Sequence, residues 1–164
     1  MKMTIKIFAG IAVVLFGGWI FAPQQTVTTE VQIAASPQEV WAVLSDFESY
    51  GNWNPFLTSI EGKMAVGESL TVHFASKAFG DMDISPNVLI VEPREEFRWK
   101  GILLVPGIFD GEHFFKLEPH NGGTRLIHGE SFSGLLLWAF DLNVMKDDFN
   151  AMNQGLLAEV NRRG

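Results

Sequence analysis

Residues 36–56 read SPQEVWAVLSDFESYGNWNPF, and they contain the signals for a short helix that runs into an aromatic turn. Ser36 can accept a hydrogen bond from the backbone at Glu39, whose side chain can reach back to the cap, and the proline between them suits the first helical position. Apolar residues then recur at helical spacing. The pattern predicts a helix over residues 37–46 and a further helical turn over residues 48–50.

The chain on either side of this stretch has the patterns of strands. Residues 26–33, TVTTEVQI, alternate in the way that predicts a half-buried first strand. Further strands are predicted over residues 57–61, 69–75, 82–91, 96–103, 111–118 and 124–132. Pro86 indicates an edge or a bend in the strand that contains it. Asn121-Gly122 predicts a two-residue hairpin turn between the last two strands.

The C-terminal part has the pattern of one long helix over about residues 136–161. Six apolar residues recur every three or four positions and form one stripe: Leu142, Met145, Phe149, Met152, Leu156 and Val160. One long helix, an antiparallel sheet and short helices after the first strand together predict the α+β class.

The order of these motifs resembles that of the START-like, or SRPBCC, superfamily, and in particular its bacterial members labelled polyketide cyclase/dehydrase and lipid transport. The resemblance is carried by VWAVLSDFESYGNWNPF, FRWKG, FDGEHFFKLEP and GTRLIHGESFSGLL, and it covers roughly residues 26–164. It implies a helix-grip fold, in which a curved antiparallel sheet wraps around the long C-terminal helix and two short helices follow the first strand. It also implies a cavity between sheet and helix, where members of the family hold apolar ligands.

An apolar segment precedes the first strand. Residues 7–22, IFAGIAVVLFGGWIFA, carry no charge and follow Lys2 and Lys6. As a helix they would span about 24 Å at roughly 1.5 Å per residue, somewhat less than the ~30 Å hydrocarbon core of a bilayer. The length lies between that of a signal-peptide core and that of a membrane span.

Cleavage of this segment is not favoured. A cut after Ala22 would put Ile20 where a small residue is preferred, with Pro23 just beyond the cut. We therefore expect residues 1–25 to be a single-pass membrane anchor, with the N-terminus cytoplasmic and the domain of residues 26–164 extracytoplasmic. The alternatives are a secreted or periplasmic form after signal cleavage and, less favoured, a buried core helix.

Composition narrows the classes of function. The 164 residues fit one globular domain, and their formal net charge is −7. An acidic domain without a basic stripe repels nucleic acid, so no nucleic-acid partner is expected. The absence of cysteine excludes disulfides, thiol nucleophiles and cysteine metal sites. The sequence also lacks a phosphate loop and a metal-ligand spacing motif, so no cofactor or metal is expected, and the oligomeric state stays open.

The predicted hairpin brings together the candidate catalytic residues His113, His128 and Glu130. With a two-residue turn, His113 faces Glu130 and Phe115 faces His128, all on the more apolar, inward face of the sheet. An imidazole beside a carboxyl group can act as a general acid or base, and burial would shift both pKa values. The alternative is a structural cluster whose members satisfy one another by hydrogen bonding. A slip of one residue would turn all three outward.

Apolar side chains predict a ligand pocket. The predicted lining residues are Trp53, Phe56, Phe74, Trp99, Phe115, Phe132, Met145, Phe149 and Met152. These residues would serve equally well as plain core. The loop of residues 103–110, LLVPGIFD, is unusually apolar, which indicates either a loop folded into the core or a gate at the mouth of the cavity.

Three functions fit these patterns. The first is a membrane-anchored binding protein or carrier for a hydrophobic or amphipathic small molecule, lipid-like or polyketide-like. The second is an enzyme of the polyketide cyclase/aromatase type that uses the cavity histidines and glutamate as acid and base. The third is a protein-interaction module with a filled core. A cavity above ~300 Å³ would favour the first two.

Overall fold

The computed structural model describes residues 23–77, 79–103 and 105–164. The strands within those residues are β1 (Gln24–Ile33), β2 (Leu57–Glu61), β3 (Thr71–Ser76), β4 (Gly80–Ile84), β5 (Asn87–Glu92), β6 (Glu96–Leu103), β7 (Phe109–His120) and β8 (Gly123–Ser133). The α-helices are α1 (Pro37–Leu44), α2 (Tyr50–Trp53) and α3 (Lys146–Arg163), and short 3-10 turns cover Phe47–Ser49, Leu135–Trp138 and Leu142–Met145. This is the expected α+β, helix-grip-like arrangement of an antiparallel sheet and a long C-terminal helix.

Two short helices follow β1, and the first of them, α1, is capped as its sequence predicts. Ser36 accepts from the backbone of Glu39 at 3.4 Å, and the Glu39 carboxylate accepts from the Ser36 backbone at 2.7 Å, so both halves of the capping box are present. Tyr50 at the start of α2 is buried and donates its hydroxyl to the Leu44 carbonyl at 2.8 Å. That bond fixes α2 against the end of α1.

The strands form two antiparallel sheets, one with the order β1-β8-β7-β6-β5 and one with the order β2-β3-β4. The prediction of a single strand over residues 82–91 is wrong, because that stretch is divided between β4 in one sheet and β5 in the other. Pro86 lies at the break. It has no N–H for a ladder, while its carbonyl accepts from Leu70 at 2.9 Å.

The long helix begins at Lys146, so the predicted start near residue 136 is also wrong. Gly134 has a φ of 134°, and the following residues form two 3-10 turns instead of helix. The second turn starts where the Asp141 side chain accepts from the backbone of Asn143 at 3.0 Å. The apolar stripe of the helix is buried as expected, and its central polar residue, Asn153, is buried with it.

The chain enters the fold beside the end of β8. The Pro23 carbonyl accepts from the Gly134 backbone at 3.4 Å, and β1 starts at Gln24. Among the residues that the structure describes, no helix is long and apolar enough to cross a bilayer. The apolar segment of the predicted anchor, residues 7–22, lies outside them, whereas Gln24 and Gln25, which were predicted to belong to the anchor, are in β1.

Candidate functional site

The β7–β8 hairpin has the register that the Asn-Gly turn predicts. Asn121 and Gly122 have φ values of 49° and 79°, as a two-residue turn between twisted strands requires. His113 therefore pairs with Glu130, and Phe115 pairs with His128. The three candidate catalytic side chains lie on the inward face, and the two histidines are fully buried.

A largely apolar cavity lies between the β3–β4 hairpin, the ends of β6, β7 and β8, and the segment before α3. Its volume is about 190 Å³, below the ~300 Å³ at which the usual range for small-molecule sites begins. An apolar cavity of about 150 Å³ is nevertheless large enough to bind benzene. The interior is thus not filled, and it has room for a small ligand. Four of the nine predicted pocket residues lie in its wall: Phe56, Phe74, Phe132 and Met145.

The other five predicted pocket residues lie away from this wall. Trp99, Phe115, Phe149 and Met152 are at most 1% exposed and belong to the packed core, and Trp53 packs against that core. Alternation places Trp99 and Phe115 on the inward face, but both are covered by core packing and are not open to the cavity. There Trp99 stacks on His113, with 4.8 Å between ring centroids and planes 5° apart.

The mouth of the cavity is an apolar rim whose side chains are between 38% and 47% exposed: Phe79, Met82, Ile102, Leu103 and Phe140. Sequence reasoning missed four of these residues. The apolar loop of residues 103–110 was the available signal, since Leu103 and Phe109 both line the cavity. The rim is the part of this site that meets solvent.

Glu130 is the one ionisable side chain in the described wall of the cavity. Its Oε2 lies 3.2 Å from Nδ1 of His113, whose Nε2 lies 2.9 Å from Nε2 of His128. The contacts continue from His128 Nδ1 to Asn153 Oδ1 at 2.9 Å and from Asn153 Nδ2 to Thr29 Oγ1 at 2.9 Å. These five residues are called the buried polar chain below. No group of three or more potential ligands is arranged for a metal ion in the described parts of the protein.

Burial determines the protonation of this chain. It raises the pKa of Glu130 to about 8 and lowers the pKa of His113 to about 3, because an apolar surrounding disfavours the charged form of each group. The pKa of His128 lies well below its usual value, first through burial and then through the neighbouring His113. Burial thus favours the protonated carboxyl group and the uncharged form of both imidazoles.

Gly111 provides the space for the Glu130 carboxyl group. A Cβ atom at Gly111 would overlap Oε1 of Glu130, so any other residue there would displace the carboxyl group. Gly111 also lines the cavity, and sequence reasoning missed it. The only signal was its place on the inward face of β7, two residues before His113.

Solved structures of several bacterial proteins share this fold. The aromatase/cyclase ZhuI from Streptomyces sp. R1128 is 17% identical, with a TM-score of 0.67 over 86% of this chain and 96% of that one. Protein MLL2253 from Mesorhizobium loti is 23% identical, with a TM-score of 0.63 over 85% and 99%. Protein Ms6760 from Mycobacterium smegmatis is 14% identical, with a TM-score of 0.68 over 85% and 92%. At these identities the likeness shows the fold alone.

Residues 24–163 match the family described as polyketide cyclase/dehydrase and lipid transport. The match extends from β1 through α3, so it confirms the resemblance that the sequence motifs carry. No curated protein matches the chain significantly.

Proposed function

The chain belongs to the polyketide cyclase/dehydrase and lipid-transport family, and from that premise we propose that it is a membrane-anchored binding protein for a hydrophobic or amphipathic small molecule. The observation that carries the proposal is the apolar cavity with one carboxyl group, that of Glu130, in its described wall. Apolar burial supplies most of the affinity in such a site, and a few polar groups orient the ligand.

The position at which the N-terminal segment joins the folded domain supports the proposal that the ligand comes from the membrane. The Pro23 carbonyl is bonded to Gly134, which directly precedes the turn that contributes Leu136 to the cavity. An anchor over residues 7–22 would therefore be connected to the domain close to the apolar rim of the cavity. A hydrophobic molecule that left the bilayer there would reach the cavity with little exposure to water.

Binding of ethylbenzene to the chain from residue 23 onward tests the proposal, because residues 23–164 contain the whole described core. We expect ethylbenzene to shift the NMR signals of Phe132 and Met145. Leu136→Trp, which fills the cavity, should abolish these shifts, whereas the matched Leu135→Trp, outside the cavity wall, should keep them. A folded domain that binds no ethylbenzene would contradict the carrier function.

An enzyme of the cyclase or dehydratase type is the second candidate. It is favoured by one observation, the hydrogen-bonded line from Glu130 at the cavity to two buried histidines, since such groups can move a proton at a bound substrate. Loss of turnover in Glu130→Gln with ligand binding intact would support this function. An interaction module is less well supported, because its core would be filled.

A further inference from the structure

The direction of the hydrogen bonds is fixed at the inner end of the buried polar chain. The Thr29 hydroxyl donates to the backbone carbonyl of His128 at 3.3 Å, so its oxygen accepts from Nδ2 of Asn153. This turns Oδ1 of Asn153 toward Nδ1 of His128. An amide oxygen can only accept. His128 therefore carries a proton on Nδ1 and donates it to Asn153.

The donor and acceptor roles in the next two contacts, from His128 to His113 and from His113 to Glu130, follow from the protonation of His128. A neutral His128 protonated on Nδ1 has a lone pair on Nε2, and that lone pair accepts from Nε2 of His113. His113 then has its own lone pair on Nδ1, which faces Oε2 of Glu130. Two acceptors cannot form a hydrogen bond, so the proton in this contact belongs to Glu130.

The opposite direction would require costly changes. A carboxylate at Glu130 would need a donor on Nδ1 of His113, and then either an imidazolium at His113 or His128 or a reversed Asn153 amide. An imidazolium and a carboxylate would be two charges in a buried site, and burial lowers the pKa of both histidines. A reversed amide would place its NH₂ against Nδ1 of His128 and its oxygen against Thr29, which would remove the Thr29 bond to the backbone.

We propose that Glu130 meets the ligand as an uncharged acid whose Oε2–H is committed to His113 and whose Oε1 is a free acceptor, so that the cavity selects apolar molecules that carry a hydroxyl group. Oε1 lies above Gly111 in the cavity wall, and across residues 23–77, 79–103 and 105–164 no hydrogen bond ends on it. The proposal rests on the proposed function, since it names the ligand class of the same cavity.

The energetic consequence is a preference between matched ligands. A hydroxyl donor satisfies Oε1, whereas an ether or ketone of the same size brings a second acceptor and leaves both groups unpaired. One hydrogen bond of this kind changes affinity by a factor on the order of ten. A carboxylate ligand is disfavoured still more, because it would bring an unpaired charge into an apolar site.

The test compares 4-ethylphenol with its isomer 4-methylanisole, which has the same ring and size but no donor. The full chain is placed in phosphatidylcholine nanodiscs, and binding is followed through the ¹⁵N signals of His113. For each protein we take the ratio of the affinities for the two probes, and we compare the wild-type ratio with that of Glu130→Met. Both proteins are measured in the same lipid, so partition of the probes into the lipid cancels in this comparison. We expect the wild type to prefer the phenol about tenfold more than Glu130→Met does.

Glu130→Gln decides the direction of the bond to His113. If Glu130 is the donor, the glutamine NH₂ takes over its role toward His113, the glutamine oxygen stays in the cavity, and the preference for the phenol is kept. If a carboxylate at Glu130 accepts from His113, the glutamine oxygen takes that place and its NH₂ faces the cavity. The preference would then pass to the anisole, and that reversal would overturn the proposal.

The ¹⁵N shifts also report the tautomers without any ligand. We expect the proton of His113 on Nε2 and that of His128 on Nδ1 at neutral pH. Thr29→Val releases the Asn153 amide and should change the His128 tautomer, while Thr28→Val on the exposed face of β1 should not. A wild-type His113 protonated on Nδ1 would contradict the inference. Equal binding of both probes also contradicts it but leaves the carrier function intact, whereas binding of neither probe contradicts the carrier function itself.

Discussion

Substitution of Glu130 by glutamine should change how the stability of the protein depends on pH. Folding raises the pKa of this carboxyl group from 4.5 to about 8, so the folded protein holds a proton that the unfolded chain has released. Its contribution to stability is complete below pH 4.5 and is lost as the pH rises toward 8. Glutamine has no such proton, and it keeps the size of the side chain.

The expected magnitude follows from the neighbouring groups. Folding lowers the pKa of His113 from 6.5 to about 3 and also lowers that of His128, so the histidines reduce stability as the pH falls below 6.5. Half of the histidines in the unfolded chain are still charged at pH 6.5, so the histidine terms continue above that pH, but the wild type and Glu130→Gln share them. At up to 1.4 kcal/mol per pH unit, the free energy of unfolding of the wild type should fall by about 1.5 kcal/mol more than that of Glu130→Gln between pH 6.5 and 8.

Urea unfolding of the wild type and Glu130→Gln at several pH values in this window measures the effect. All groups that the two proteins share cancel in the difference between their free energies of unfolding. Glu118→Gln is the matched control, because Glu118 is exposed at the end of β7 and its substitution should leave the wild-type slope unchanged. Identical slopes for the wild type and Glu130→Gln would refute a raised pKa of Glu130 in the folded protein.

Three further predictions concern packing and the N-terminal segment. Gly111→Ala should displace the Glu130 carboxyl group and weaken binding of 4-ethylphenol on the order of tenfold. Gly101→Ala also adds a methyl group to the cavity wall, but its Cβ would make only an ordinary 3.4 Å contact with Ile84 and should weaken binding less; equal effects would argue against the Gly111 contact. Phe149→Ala should lower the free energy of unfolding by ~3–5 kcal/mol in urea titrations, because Phe149 is fully buried, and a loss below 1 kcal/mol would contradict that packing. Mass spectrometry of the membrane fraction should find a chain that retains residues 1–22, and recovery of a soluble form beginning near residue 23 would exclude the anchor.

Local signals in the sequence predicted the strand register and the first helix that position the site. The Asn121-Gly122 turn set the register that brings His113 to Glu130, since a two-residue turn leaves no freedom in the pairing. The capping box at Ser36 likewise located α1. Both predictions depend on residues within a few positions of one another, and short-range chemistry is sufficient for them.

The position of the cavity depends on contacts between distant segments and could not be predicted. Alternation placed Trp99 and Phe115 on the inward face, but packing between segments distant in sequence decides which inward residues are covered and which stay open. The division of residues 82–91 between two sheets has the same cause, since the bend at Pro86 is completed by a bond to Leu70. The role of Gly111 appears only when the Glu130 side chain has been placed above it.

The β3–β4 hairpin forms one wall of the cavity and belongs to the three-stranded sheet, whereas Glu130 lies on the five-stranded sheet. The hairpin meets the five-stranded sheet along a short seam, where the backbone of Leu70 is bonded to Pro86 and that of Glu68 to Val88. Near the end of β3 it is fastened to α3 by Asp148, which accepts from Ser76 at 2.6 Å. Between these fastenings the wall faces the cavity with apolar side chains, whose contacts have no preferred direction. We therefore expect a ligand larger than the present volume of about 190 Å³ to be accommodated by movement of this hairpin rather than by rearrangement of the core.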